Sequence, residues 1–323
     1  MADRRRLLSV VLVAVVAVSV VGVLVAAGMA RTLPPPSAEA LDLSSLVSYP
    51  PVPDAPAERS VTLTGAGDIA SCERDTDEAT AALLDDLPGF VFTAGDNAYG
   101  QGRPAQFTNC YDPGWGSQRA RTFPAIGNHE VETPGASGYF EYFGARAGDP
   151  RAGWYALDLG LWRLIVLNST CAGAGGCGND TDQGRWLEAE LAENPAECTL
   201  VVWHHPRWST GHHGPTPGVT PFWDALYEAG ADLIVNAHDH DYERFAPVDP
   251  SGKADPEKGI RQIVAGTGGA ALRAFEEEDP NSEVRQASTH GVLRLDLHRG
   301  SYDWQFLPVE GGDFTDQGSG TCH

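Results

Sequence analysis

Five short apolar runs, each leading into a side chain able to bind a metal, constrain this chain more than any other feature. Ser60–Ala66 leads into Gly67-Asp68, Phe90–Ala94 into Gly95-Asp96, and Thr122–Ile126 into Gly127-Asn128-His129. Thr199–Trp203 leads into His204-His205, and Leu233–Ala237 into His238-Asp239-His240. Short runs of β-formers bounded by Gly or Pro read as buried strands. Helical patterns lie between some of them. Thr76–Leu87 follows a candidate cap at Asp75 and places Ala79, Leu83, Leu84 and Leu87 on one face. Asp182–Glu193 and Val219–Ala229 also read as helices. Strands alternating with helices predict an α/β fold with a mainly parallel or mixed sheet. In such sheets ligands sit outside the carboxyl ends of the strands, so the five termini are expected to converge.

Their side chains, with Tyr99, form a mixed oxygen–nitrogen donor set: Asp68, Asp96, Tyr99, Asn128, His204, His238 and His240. Seven groups exceed what one metal uses, whereas two metals sharing a carboxylate would use them all. Such donors suit Fe, Zn, Mn or Co. Paired metals acidify water and clamp the oxygens of an in-line phosphoryl displacement. His204 and His205 both follow their strand; alternation sends them to opposite sides without saying which faces the site, and the other of the pair supports a ligand or the fold.

Gly67-Asp68, Gly95-Asp96-Asn97-Ala98-Tyr99, Gly127-Asn128-His129-Glu130, Val201-Val202-Trp203-His204 and His238-Asp239-His240 occur in an order that resembles the calcineurin-like metallophosphoesterases. With Asp241-Tyr242-Glu243-Arg244, they most resemble the purple acid phosphatases. Position 70 is Ala70 where many relatives carry a metal-binding His, and Tyr99 stands where the purple enzymes place a tyrosinate. The resemblance implies a four-layer α/β-β/α sandwich of two mixed sheets. It implies two metal ions, Fe(III) with Fe(II), Zn or Mn. The first would be held by Asp68, Tyr99 and His240, the second by Asn128, His204 and His238, with Asp96 bridging. It assigns substrate contact and leaving-group protonation to His129 and His213, with His212 a weaker candidate than His213. The implied activity is phosphomonoester hydrolysis by metal-bound hydroxide. Phosphodiester or nucleotide hydrolysis, and a non-catalytic phosphate-binding surface protein, stay open as alternatives. The family usually has Gly before His-x-His; Ala237 adds a methyl there.

The rest of the chain sets the context. Arg4, Arg5 and Arg6 precede an uncharged run from Leu7 to Ala30, which reads as a signal peptide or membrane anchor over residues 1–30. Residues 31–58 hold seven prolines and read as a linker, leaving residues 59–323 as one catalytic domain. The domain is therefore expected outside the cytoplasm, secreted or anchored, meeting the membrane only through an uncleaved N-terminus. Formal charge is −22, with 44 acidic against 22 basic residues. That repels polyphosphate backbones and argues against a sequence-independent nucleic-acid binder; the partner the resemblance implies is a small phosphate ester, with no nucleic acid as a sequence-specific target. Six cysteines allow 15 pairings. Cys171 and Cys177 flank a short flexible loop, Cys72 and Cys110 follow metal-motif loops, and Cys198 with Cys322 would pin the tail. Gly291–His298 and Tyr302–Pro308 read as a hairpin turning at Arg299-Gly300. His290, His298 and His323 fit no motif, and Glu276–Asp279 reads as a solvated loop.

Overall fold

A computed structural model describes residues 60–323. The expected signal or anchor and the whole of the linker lie outside these residues. Among those described, no helix is long and apolar enough to cross a membrane.

Two sheets face each other. The first orders its strands Gln317–Thr321, Ser301–Pro308, Gly291–His298, Val61–Ala66, Phe90–Ala94 and Thr122–Ala125. The second runs Ser282–Gln286, Tyr242–Phe245, Arg261–Ala265, Leu233–Asn236, Cys198–Val202, Trp162–Val166 and Tyr155–Leu159. Both are mixed. Val61–Ala66, Phe90–Ala94 and Thr122–Ala125 pair in parallel, as do the neighbours from Trp162–Val166 to Arg261–Ala265. The expected hairpin forms, with Gly291–His298 antiparallel to Ser301–Pro308.

Side-chain alternation explains why the strands read as continuous apolar runs. Phe92, Leu164, Leu200 and Val235 face the core between the sheets. Val91 on the first sheet turns outward to Ala81 and Leu84 of helix Thr76–Asp85. On the second sheet, Ile165, Val201 and Ile234 turn outward to Leu187, Phe222 and Leu226 of helices Asp182–Glu193 and Thr220–Glu228. Strands buried on both faces carry apolar residues at every position. Three apolar layers between four structural layers give the sandwich the resemblance implied.

Local details differ from the sequence reading. The first helix ends at Asp85 rather than Leu87, and Asp75 makes no side-chain capping bond. The helix read from Val219 starts at Thr220, after a tight turn at Pro217–Val219. Disulfides join Cys72 to Cys110, Cys171 to Cys177 and Cys198 to Cys322. The last holds the C-terminal tail against a central strand.

Candidate metal centre

The parallel strands deliver their carboxyl ends to one edge, where the chain turns sharply. Asp68, Asp96 and His238 each adopt a left-handed backbone, with φ of 57°, 50° and 72°. Such conformations cost about 1–3 kcal/mol each and persist where surrounding structure over-determines them. The surroundings here are specific. Asp68 Oδ2 accepts the His238 amide at 2.7 Å, locking the first turn to the last. Asp96 Oδ1 accepts the His129 amide at 2.9 Å. A Cβ on Gly127 would lie 2.2 Å from Asp96 Oδ1, so only glycine lets that carboxylate approach.

Two groups of donor atoms result. Tyr99 Oη lies 2.6 Å from Asp68 Oδ1 and 3.1 Å from His240 Nε2. His204 Nε2 lies 3.1 Å from Asn128 Oδ1 and 3.3 Å from His238 Nδ1. Asp96 Oδ2 stands between them, 3.3 Å from both Tyr99 Oη and His204 Nε2. The register explains how Tyr99 arrives: Ala70-Ser71 pairs in parallel with Ala98-Tyr99, which sets Tyr99 beside Ser71, three residues after Asp68.

The inward-facing atoms are groups able to act as metal ligands. His204 Nδ1 donates to the Ala94 carbonyl at 2.8 Å and His240 Nδ1 to the Ala271 carbonyl at 2.8 Å. In the neutral tautomer that these bonds select, each ring turns its Nε2 lone pair toward carboxylate, amide or phenol oxygens, the arrangement a bound cation would use. Acceptors crowded against acceptors fit cations placed between them.

Residues 62–242, more than half the chain, match the family described as calcineurin-like phosphoesterase. The chain belongs to that family. It is 32% identical to purple acid phosphatase 21 of Arabidopsis thaliana, over 55% of this chain and 44% of that protein. It is 26% identical to the same plant's "Probable inactive purple acid phosphatase 1", over 72% of this chain and 43% of that one. The chain thus spans less than half the length of these relatives. The purple acid phosphatase PPD1 from yellow lupin seeds superposes with a TM-score of 0.68 at 17% identity, covering 82% of this chain and 54% of that one. Within the calcineurin-like family the chain is purple acid phosphatase-like, and the family implies a dinuclear metal centre.

The electrostatics of this phosphoesterase centre follow from burial and close charges. Burial raises the Asp68 carboxyl above its usual range, and histidines at 240 and 204 only partly oppose it. Burial also opposes ionisation of Asp96, but His204 and His129 hold it below the usual range. Burial lowers His204, and Asp96 more than reverses this, lifting it to about 9. His238 is pushed well down, by burial first and then by its neighbours His204, His205 and His213. Burial, with Asp68 and Asp96 beside it, keeps the Tyr99 phenol far above its normal range. A cation reverses the sign of this local field, and a phenol beside one ionises.

The expected auxiliary histidines separate. His129 donates Nδ1–H to the Gly100 carbonyl at 2.6 Å and turns Nε2 toward Asp96 Oδ2, 3.7 Å away. His213 donates its amide to Asp239 Oδ1 at 2.6 Å and its Nδ1–H to the His238 carbonyl at 3.0 Å. Its ring stacks on His238, centroids 4.3 Å apart. His212 instead pairs with Glu276, and both side chains stay exposed, as expected of a solvated loop. His205 corrects the alternation argument. The strand ends at Val202, so alternation lapses before residue 205. The His205 ring lies 4.3 Å from that of His238, with Nδ1 accepting from Ser169 Oγ at 2.9 Å.

Glu130 and Arg244 hold different parts of the molecule. Glu130 accepts the amides of Gly127, Asp96, Asn97 and Ala98 at 2.8, 3.1, 2.9 and 3.2 Å, gathering two metal-motif loops. Arg244 pairs with Asp316 at 2.7 Å and is structural. His290, His298 and His323 bond Ala270, Asp303 and Asp232, apart from the donors. Arg273, whose guanidinium reaches His213 Nε2 at 3.0 Å, belongs to no motif and was invisible in sequence.

Proposed function

We propose that the chain is an exported, binuclear metal-dependent phosphatase acting on phosphomonoesters. The observation that carries this reading is the paired donor arrangement: Asp68, Tyr99 and His240 on one side, Asn128, His204 and His238 on the other, with Asp96 Oδ2 between. Bound metals would supply Lewis-acid charge and a water made acidic enough to act as nucleophile. A phenol with carboxylates is a hard donor set, which favours Fe(III) on the Tyr99 side.

The protein's own residues divide the remaining work. Asn128 offers a neutral carbonyl beside His204, which lowers the negative charge met by an incoming phosphate. His129 has committed Nδ1 to Gly100, so Nε2 is the atom able to hand a proton to the leaving oxygen. Both nitrogens of His213 are engaged, by the His238 carbonyl and by Arg273. In this arrangement it positions Arg273 rather than transfers protons. Three disulfides and the N-terminal apolar run support export.

The test combines metal counting, visible spectroscopy and turnover on 4-nitrophenyl phosphate against bis(4-nitrophenyl) phosphate. Two metals including iron, an absorption band lost in Tyr99→Phe, and monoester preference are expected. Unchanged turnover in both Asn128→Ala and His238→Ala would sink the assignment, and diester preference would replace the substrate class.

A further inference from the structure

Resting on the phosphatase reading above, we propose that Arg273 selects substrates whose leaving group carries a second anionic group, a carboxylate or a further phosphate. The loop bearing Arg273 is sewn to the metal centre by its backbone. Ala270 N donates to the Asp68 carbonyl at 2.8 Å, Arg273 N to the His240 carbonyl at 2.9 Å, and the Ala271 carbonyl receives His240 Nδ1–H. The arginine's Cα is therefore fixed beside a metal ligand, while its side chain is exposed at the mouth.

Charge bookkeeping within the loop leaves this guanidinium uncompensated. Four acids follow within six residues, yet Glu276 is directed to His212 and Glu278 to Arg285. Among the described residues no carboxylate pairs with Arg273. Its guanidinium donates one bond, to His213 Nε2, which leaves further N–H donors of the exposed planar fork for a ligand. In a chain of net charge −22, an anionic leaving group is repelled at long range and needs a local cation.

Position decides which part of the substrate that cation meets. The His213 ring lies on His238 at 4.3 Å and 6.0 Å from His240. It turns Nδ1 inward to the His238 carbonyl and Nε2 outward to Arg273. The guanidinium thus sits a ring's width outside the donor atoms. The transferred phosphoryl group belongs over the donors, so Arg273 addresses what lies beyond it, the leaving group. A carboxylate or phosphate there gains a bidentate partner.

The experiment measures kcat/KM for phenyl phosphate and 4-carboxyphenyl phosphate with the full chain, as wild type, Arg273→Ala and Arg273→Lys. The readout is the ratio between the two substrates. We expect Arg273→Ala to cut the preference for the carboxylated ester about tenfold, mainly through KM, with Arg273→Lys recovering part of it. A ratio unchanged in Arg273→Ala overturns the inference, whatever happens to absolute rates. Affinities for phenylphosphonate and 4-carboxyphenylphosphonate are measured in parallel on the same proteins. If neither ester turns over, the phosphatase reading fails, and the affinity ratio alone decides the role of Arg273 by the same criterion.

Discussion

The Ala237 methyl occupies the space that a side chain on Gly67 would need: a Cβ built on Gly67 would lie 2.4 Å from Ala237 Cβ. The two residues precede Asp68 and His238, which are already joined by a hydrogen bond. The methyl that departs from the family pattern is accommodated because the facing strand end has none. Gly67→Ala is expected to destabilise the protein by about 1–3 kcal/mol through overpacking. Adding Ala237→Gly should restore part of that. Full recovery is not expected, because the backbone carbonyl of Ala94 would still lie 3.1 Å from the new Cβ. Urea unfolding of both single variants and the double variant measures the coupling. Strictly additive effects would show that the two sites do not share this space.

Glu130→Gln tests whether one buried carboxylate holds both metal-motif loops. Glu130 Oε1 accepts from Asn97 and Ala98, and Oε2 from Asp96 and Gly127. Burial, followed by the nearby Asp96, pushes its carboxyl up to about 7, so these amide bonds are what favour the charged form. A glutamine retains one acceptor oxygen and turns an NH2 toward two amides. The expected loss is about 2–6 kcal/mol, from two unmet donors at roughly 1–3 kcal/mol each, with lowered metal occupancy. Thermal melting and metal analysis check it; full occupancy at unchanged Tm would assign Glu130 no positioning role.

The strand ends, and with them the donor set, were legible in sequence because strands buried on both faces leave uninterrupted apolar runs that stop at polar turns. The two-sheet layering came from the family resemblance, since periodicity does not say which strands share a sheet. What sequence did not show depends on loops meeting in space. Arg273 is 60 residues from His213, and no local pattern announces their contact. The side to which His205 turns was not legible because alternation holds only while a strand continues, and this one stops at Val202. Asp75 has the chemistry of a cap, but tertiary context leaves its side chain without the capping bond.

Asp77 links stability to pH. It is buried in the first turn of helix Thr76–Asp85, and its Oδ2 has no hydrogen-bond partner. Burial, reinforced by Glu78 and Asp75, raises its carboxyl from 3.8 to about 7. A carboxyl raised in the folded state costs nothing below its unfolded pKa. The penalty grows as pH rises from about 4 to 7, where the unfolded chain ionises first, and is complete above the folded value. Asp77→Asn should therefore stabilise the protein by about 1–3 kcal/mol at pH 8 and leave it nearly unchanged at pH 4. Melting curves at the two pH values check this; equal shifts at both would remove ionisation as the cause.

Asp316 carries the opposite linkage. Its carboxylate accepts from Arg244 Nε at 2.7 Å, Tyr242 Oη at 2.8 Å and Trp304 Nε1 at 3.1 Å, joining the edges of the two sheets. Burial opposes its charge, but Arg244 and Tyr242 more than offset this and hold its pKa below the usual value. A depressed carboxyl stabilises the fold above its unfolded pKa, and that stability is lost as pH falls through the folded pKa. Removing the carboxylate leaves the buried guanidinium with Glu283 as its remaining carboxylate partner and strands two other donors. Asp316→Ala is expected to cost about 3–5 kcal/mol at neutral pH, the range for breaking one side of a buried ion pair. The deficit should shrink as the solution is acidified below the usual carboxylate range. Because this network lies apart from the metal donors, bound metal per folded molecule should not change. Denaturant unfolding across pH, with metal analysis of the folded fraction, separates the two roles; a deficit that stays constant with pH would show that packing, and not charge, makes Asp316 necessary.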